Sequence, residues 1–158
     1  MAKNYYITTP IYYPSAKPHM GHAYSSLIAD FLARFKKMDG YDVHFLTGTD
    51  EHGLKIQRAA EKKGIETLTF CDEISQTFRD LSKTLNLSNT DFIRTTEERH
   101  KKTVQFLWNE LEKNDDIYLS KYSGWYSVSD ESFYSDDEIT EKNNEKVSIE
   151  SGSNVEWI

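Results

Sequence analysis

His19-Met20-Gly21-His22 separates two runs of different periodicity, and the fold follows from that junction. Before it stands Tyr5-Tyr6-Ile7-Thr8-Thr9, short, aromatic and β-branched, the make-up of a buried strand. After it, Ala23 through Met38 carries Tyr24, Leu27, Ile28, Phe31, Phe35 and Met38 at helical spacing, which predicts a helix with that stripe inward. The order strand, turn, helix puts unpaired backbone N–H groups and the positive end of a helix dipole at the turn. Two histidines there add donors for an anion, and Gly21 lets a flat base or a phosphate approach the backbone. The junction therefore reads as a nucleotide-phosphate site.

Outward from it, Pro10, Pro14 and Pro18 stiffen the approach loop. Its aromatics either wall a pocket or pack on the sheet edge. Gly40 suits the residue just past the helix, and Val43-His44-Phe45-Leu46-Thr47 reads as a second strand. Strand, helix, strand at this spacing implies a parallel pair with a right-handed crossover. Gly48-Thr49-Asp50-Glu51-His52-Gly53 follows the second strand. Ligands bind at the carboxyl ends of parallel strands, so this loop and the His19–His22 turn belong side by side.

Further on, helices are predicted over Leu54–Lys63, closed by Gly64, and over Thr67–Leu85. The second has Leu68, Cys71, Ile74, Phe78, Leu81 and Leu85 on one face, with Cys71 as a small core residue. Asp91-Phe92-Ile93-Arg94 is a short strand. Thr95 with Glu98 fits a capping box for a helix reaching about Lys113, with Val104, Leu107, Trp108 and Leu111 inward. Arg94, Arg99, His100, Lys101 and Lys102 read first as a solvated helix end, with a binding patch as the alternative. From Asp116 the pattern becomes β-rich. Ile117–Tyr122 and Trp125–Val128 suggest a hairpin turning near Gly124, residues 130–146 a loop, and Val147–Ile149 and Val155–Ile158 strands. A boundary near residue 115 gives two parts, 1–115 and 116–158.

The composition bounds the function. Net charge is −7 over 158 residues, which argues against a broad basic surface for nucleic acid. The acid is concentrated: residues 130–150 hold eight acidic residues against two lysines, leaving the rest near neutral. One cysteine excludes a disulfide framework and any multi-cysteine metal site. No apolar run approaches membrane-spanning length and no signal-peptide pattern opens the chain, so a cytoplasmic protein is expected.

Four stretches together resemble methionyl-tRNA synthetases, within the class I aminoacyl-tRNA synthetases. They are Tyr6 through Tyr13, Pro18 through Tyr24 with its HIGH-like core, Phe45 through Gly53, and Phe92 through His100. The resemblance implies an α/β fold, namely the first half of a Rossmann-like catalytic domain over 1–115. The β-rich start of a connective insertion would follow over 116–158. It implies ATP-dependent activation of methionine to methionyl-adenylate, with Mg2+, and transfer to tRNA(Met). It assigns Pro18, His19, Gly21 and His22 to ATP, with His19 and His22 catalytic and Gly21 against the adenine. It assigns Pro10, Ile11, Tyr13, Asp50 and His52 to methionine, Asp50 taking the α-ammonium. Many members hold zinc in the insertion through Cys-x-x-Cys knuckles. Here one such pair is replaced by Ser127-Val128-Ser129-Asp130, so no structural zinc is expected. The second class I signature, KMSKS, and the helical anticodon-binding domain are not among these residues. The resemblance therefore implies an N-terminal part with half an active site.

Overall fold

The computed structural model describes residues 3–158. They divide into a first unit ending at Leu107 and a second, Trp108–Ile158.

The first unit is built on a parallel sheet of β1 (Asn4–Thr8), β2 (Asp42–Thr49) and β3 (Asp91–Arg94), in the order β1-β2-β3. Tyr5 pairs with Val43 and Thr8 with Leu46, while Leu46 pairs with Asp91 and Thr49 with Arg94. Helix α1 (Met20–Met38) crosses from β1 to β2, and α2 (Leu54–Lys63) with α3 (Thr67–Thr84) crosses from β2 to β3. This is the predicted α/β arrangement, because each predicted strand ends in a loop followed by helix-forming sequence. The main core joins Tyr12, Ile56, Phe70, Cys71, Ile74, Phe78 and Phe92. Cys71 is buried as predicted. Burial, foremost, and the nearby Glu51 charge push its thiol up to about 11, which leaves it unreactive.

Helix α1 turns the other way from the predicted orientation. The residues it buries are Ala23, Ser26, Ala29, Asp30 and Ala33, and the large apolar stripe faces outward, Phe31 being 69% and Met38 87% exposed. Small side chains let the helix close onto Phe45, which is fully buried, with Ile7 and Val43 beside it. Close approach over Phe45 decides the packing, not the size of the apolar side chains. The same correction applies to α4 (Glu98–Lys113), which buries none of its residues; Val104, Leu107 and Trp108 are exposed. On α3, Leu68 is exposed as well.

The second unit is β-rich, with a different pairing from that predicted. Residues 117–122 form no strand, and Tyr118 and Leu119 are exposed. Instead β4 (Trp125–Ser127) pairs antiparallel with β5 (Ser132–Tyr134) on one side and with β8 (Glu156–Trp157) on the other. The predicted acidic loop contains β5, a short 3-10 turn (Asp136–Glu138) and a second hairpin, β6 (Ile139–Lys142) with β7 (Glu145–Ser148). Lys142 pairs with Glu145 across a two-residue loop whose residues, Asn143 and Asn144, both have positive φ (55° and 64°). Asparagine tolerates that conformation, and two such residues in sequence make the tight turn that hairpins favour.

Candidate active site

His19 and His22 cap the start of α1 reciprocally. His19 Nδ1 accepts the N–H of Gly21 at 3.0 Å, and His22 Nδ1 accepts the N–H of His19 at 3.0 Å. An Nδ1 that accepts has no proton, so each neutral ring carries its hydrogen on Nε2. Two Nε2–H donors thus stand at the positive end of a 19-residue helix, their rings 3.9 Å apart between centroids. Burial, then the neighbouring His19, lowers the His22 pKa below the ordinary histidine value, which favours the neutral donor. Gly21 is needed first by His19: an added Cβ would lie 2.9 Å from His19 Cε1.

Tyr12 connects this turn to the Asp50 loop. Its backbone continues β1's pairing with β2, the Tyr12 N–H donating to Gly48 O at 3.0 Å and the Asp50 N–H donating to Tyr12 O at 2.8 Å. Its hydroxyl lies 2.7 Å from Ser26 Oγ and donates to His22 O at 3.2 Å. Its ring packs edge-on against His22 and stacks on Phe78.

The Asp50 loop is held from beneath by Glu51. The Glu51 side chain is fully buried, and Oε1 accepts from Thr49 Oγ1 at 2.8 Å and Arg94 Nε at 2.7 Å. Oε2 takes the Thr96 hydroxyl, and the Glu51 N–H donates to Thr95 Oγ1 at 2.8 Å. Arg94 also pairs with Asp72 at 2.6 Å. Thr95 is therefore not the predicted helix cap; its hydroxyl supports the loop across the sheet edge, and α4 begins three residues later. Arg94 is not part of the solvated helix end, being largely buried against Glu51, whereas Arg99 is exposed in the first turn of α4 and makes a two-pronged pair with Asp91, at 2.6 and 2.9 Å. Asp50, by contrast, has a half-buried carboxylate whose side-chain contact among the described residues is long, 3.5 Å from Thr95 Oγ1.

The predicted site residues separate into three groups. Pro18, His19, Gly21 and His22 form the helix start. Tyr13 and His52 join Asp50: the Tyr13 hydroxyl donates to His52 O at 3.1 Å, and His52 Nε2 donates to Thr95 O at 3.3 Å. Ile11 lines a shallow cavity of about 180 Å³ with Thr9, Leu46, Gly48 and Ile93, and Pro10 beside it is exposed. Gly48 has no space for a side chain, since a Cβ would meet Ile93 O at 2.0 Å. Sequence reasoning placed Tyr12 and Glu51 in the two loops without a role of their own, and missed Arg94 and Thr95 as parts of this assembly. For Thr95 a signal existed: it follows a parallel strand, whose carboxyl end lies on the ligand-binding edge.

A strand–turn–helix start with paired histidine donors, beside an acidic loop on the same sheet edge, places the chain among α/β proteins built on parallel strands. The chain belongs to the tRNA synthetases class I (M) family, whose model matches residues 5–155. It is 52% identical to the mitochondrial methionine–tRNA ligase of Takifugu rubripes, over 99% of this chain and 27% of that protein. It is 53% identical to the methionine–tRNA ligase of Rickettsia typhi, over 100% of this chain and 30% of that protein. The methionyl-tRNA synthetase of Mycobacterium tuberculosis, solved bound by methionyl-adenylate, superposes with a TM-score of 0.94 at 46% identity. That match covers 99% of this chain and 31% of that one. The chain thus spans about a third or less of the length of the relatives it matches. Among the described residues, no helix is long and apolar enough to cross a membrane.

Proposed function

We propose that this chain carries the first half of the active site of a methionine–tRNA ligase, working in the cytoplasm. Residues 1–115 belong to the catalytic domain and 116–158 open a connective insertion. In the reaction, a methionine carboxylate oxygen attacks the α-phosphorus of ATP in line, the bond to the β-phosphate oxygen breaks, and pyrophosphate leaves. A ribose hydroxyl at the 3′ end of tRNA(Met) then attacks the methionyl carbonyl, the bond to the adenylate phosphate oxygen breaks, and AMP leaves. The first step needs positioning and charge stabilisation more than proton transfer.

The observation that carries this reading is the reciprocal His19–His22 cap. It fixes two Nε2–H donors before substrate arrives, so they offset phosphate charge without reorganising. Pro18 and Gly21 complete the nucleotide side. Asp50, with unspent acceptor capacity, takes the methionine ammonium, while Glu51 is already saturated by its own partners. Ile11, Pro10, Tyr13 and His52 border the side chain's place, an apolar setting that suits a polarizable thioether. Mg2+ enters with the ATP phosphates as part of the substrate.

The test is ATP–pyrophosphate exchange by a polypeptide of the relatives' length that contains this sequence. Exchange dependent on methionine and weak with leucine, isoleucine, valine and cysteine is expected. Equal exchange with leucine would contradict the assignment.

A further inference from the structure

Two turns in the second unit share one backbone design. At the end of β4, Ser127 Oγ accepts the Asp130 N–H at 3.2 Å, and the next residue, Glu131, is left-handed at φ 55°. At the end of β7, Ser148 Oγ accepts the Ser151 N–H at 3.3 Å, and the next residue, Gly152, is left-handed at φ 71°. The first side chain of each turn is buried, Ser127 at 0% and Ser148 at 1% exposure. The fourth side chains meet: Ser151 Oγ donates to Asp130 Oδ2 at 2.5 Å. Ser153 Oγ donates to Asp130 Oδ1 and the Tyr134 hydroxyl to Oδ2, both at 2.9 Å. Residues 127, 130, 148 and 151 are therefore two pairs of equal spacing, joined through one carboxylate.

Paired turns with two residues between side chains are how a protein grips a tetrahedral zinc, through thiolates or imidazoles. The side chains present do not fit that ion. Three of the four are serine hydroxyls, and the fourth is a carboxylate whose two oxygens already accept three hydroxyl donors. A central acceptor surrounded by donors is the reverse of a central cation surrounded by donor atoms, yet it ties the same two turns together.

We propose that the Asp130 carboxylate occupies the structural role of a metal ion. It joins the two turns so that the second unit folds without zinc, on a backbone that four cysteines at 127, 130, 148 and 151 would convert into a zinc site. The proposal is independent of the reaction assigned to the first unit, and its test needs no activity.

Three measurements on the 158-residue chain decide it. First, the unaltered protein, exposed to Zn2+ and desalted, retains only substoichiometric zinc, and a chelator leaves its Tm unchanged. Stoichiometric zinc whose removal unfolds the protein would overturn the proposal. Second, Asp130→Ala lowers the Tm by roughly 5 °C, and Asp130→Asn by less because one carbonyl acceptor remains. An unchanged Tm in Asp130→Ala would overturn it. Third, the variant Ser127→Cys, Asp130→Cys, Ser148→Cys, Ser151→Cys binds one Co2+ with the strong visible absorption of a tetrahedral thiolate site, and Zn2+ raises its Tm. If that variant is unfolded without metal, Zn2+ must fold it. A variant that Zn2+ neither folds nor stabilises, or that gives no tetrahedral cobalt spectrum, overturns the convertible-site claim.

Discussion

Tyr12 and His22 are joined twice, by a hydroxyl-to-carbonyl hydrogen bond of 3.2 Å and by an edge-on ring contact of 5.0 Å. Because the Tyr12 backbone is paired to β2 and to Asp50, the contact transmits the position of the sheet edge to the helix start. Tyr12→Phe keeps the ring and removes the hydroxyl, leaving the buried Ser26 hydroxyl without it. A loss of about 1 kcal/mol is expected, lowering Tm by about 2–4 °C in thermal unfolding. An unchanged Tm would show that the hydroxyl contributes nothing to that coupling.

The Glu51 carboxylate is fully buried, and removing it leaves the buried Thr49 hydroxyl without its acceptor and Arg94 with Asp72 as its remaining carboxylate partner. Glu51→Ala should cost about 3–5 kcal/mol, which in thermal unfolding is a drop of roughly 10 °C. Arg94→Met with Glu51→Leu together should recover part of that loss, since the apolar pair removes the guanidinium along with its partner, while the Thr49 hydroxyl stays without its acceptor. A double variant no more stable than Glu51→Ala would contradict the account.

The His22 imidazole should titrate below its ordinary 6.5, because burial and then the His19 charge disfavour its protonated form. With the folded value lowered, the unfolded chain binds the proton more readily. The cost to stability is absent above 6.5 and grows as pH falls from there to the folded value. Proton NMR of the ring reads the titration directly. His19→Ala should move it upward by removing the repulsion, and a downward move would contradict the assignment.

In the second unit, the Asp130 carboxyl is held below the usual carboxylate range, first by the Ser151 hydroxyl and then by Ser153 and Tyr134. A lowered folded value contributes stability above the unfolded 3.8, lost as pH falls through the folded value. The Tm difference between the unaltered chain and Asp130→Asn should therefore be constant above about pH 5 and shrink in acid. A difference that persists unchanged in strong acid would show that the carboxylate's charge plays no part.

Much of the first unit was legible because its elements carry local signals: glycines at helix ends, and histidine and acidic loops at strand ends. The α1 orientation was not, since two stripes share helical spacing and only the partner, Phe45, decides which packs. The Glu51–Arg94–Thr95 assembly spans positions some forty residues apart in sequence, joined by a β2–β3 register that composition does not reveal. In the second unit the strands are two to four residues long, too short for periodicity to register. Residues 125–128, 147–149 and 155–158 were nonetheless legible as strands and fall on β4, β7 and β8, whereas the Asn143-Asn144 turn was obscured by the surrounding acidic residues.

The central claim is that His19 and His22 stabilise phosphate charge while Asp50 holds the amino acid. Steady-state ATP–pyrophosphate exchange in a relative-length polypeptide separates the two roles. His19→Ala and His22→Ala should each lower kcat by about 10²–10³-fold with little change in the KM for methionine. Asp50→Ala should chiefly raise that KM. Exchange that survives unchanged in all three variants would contradict the account.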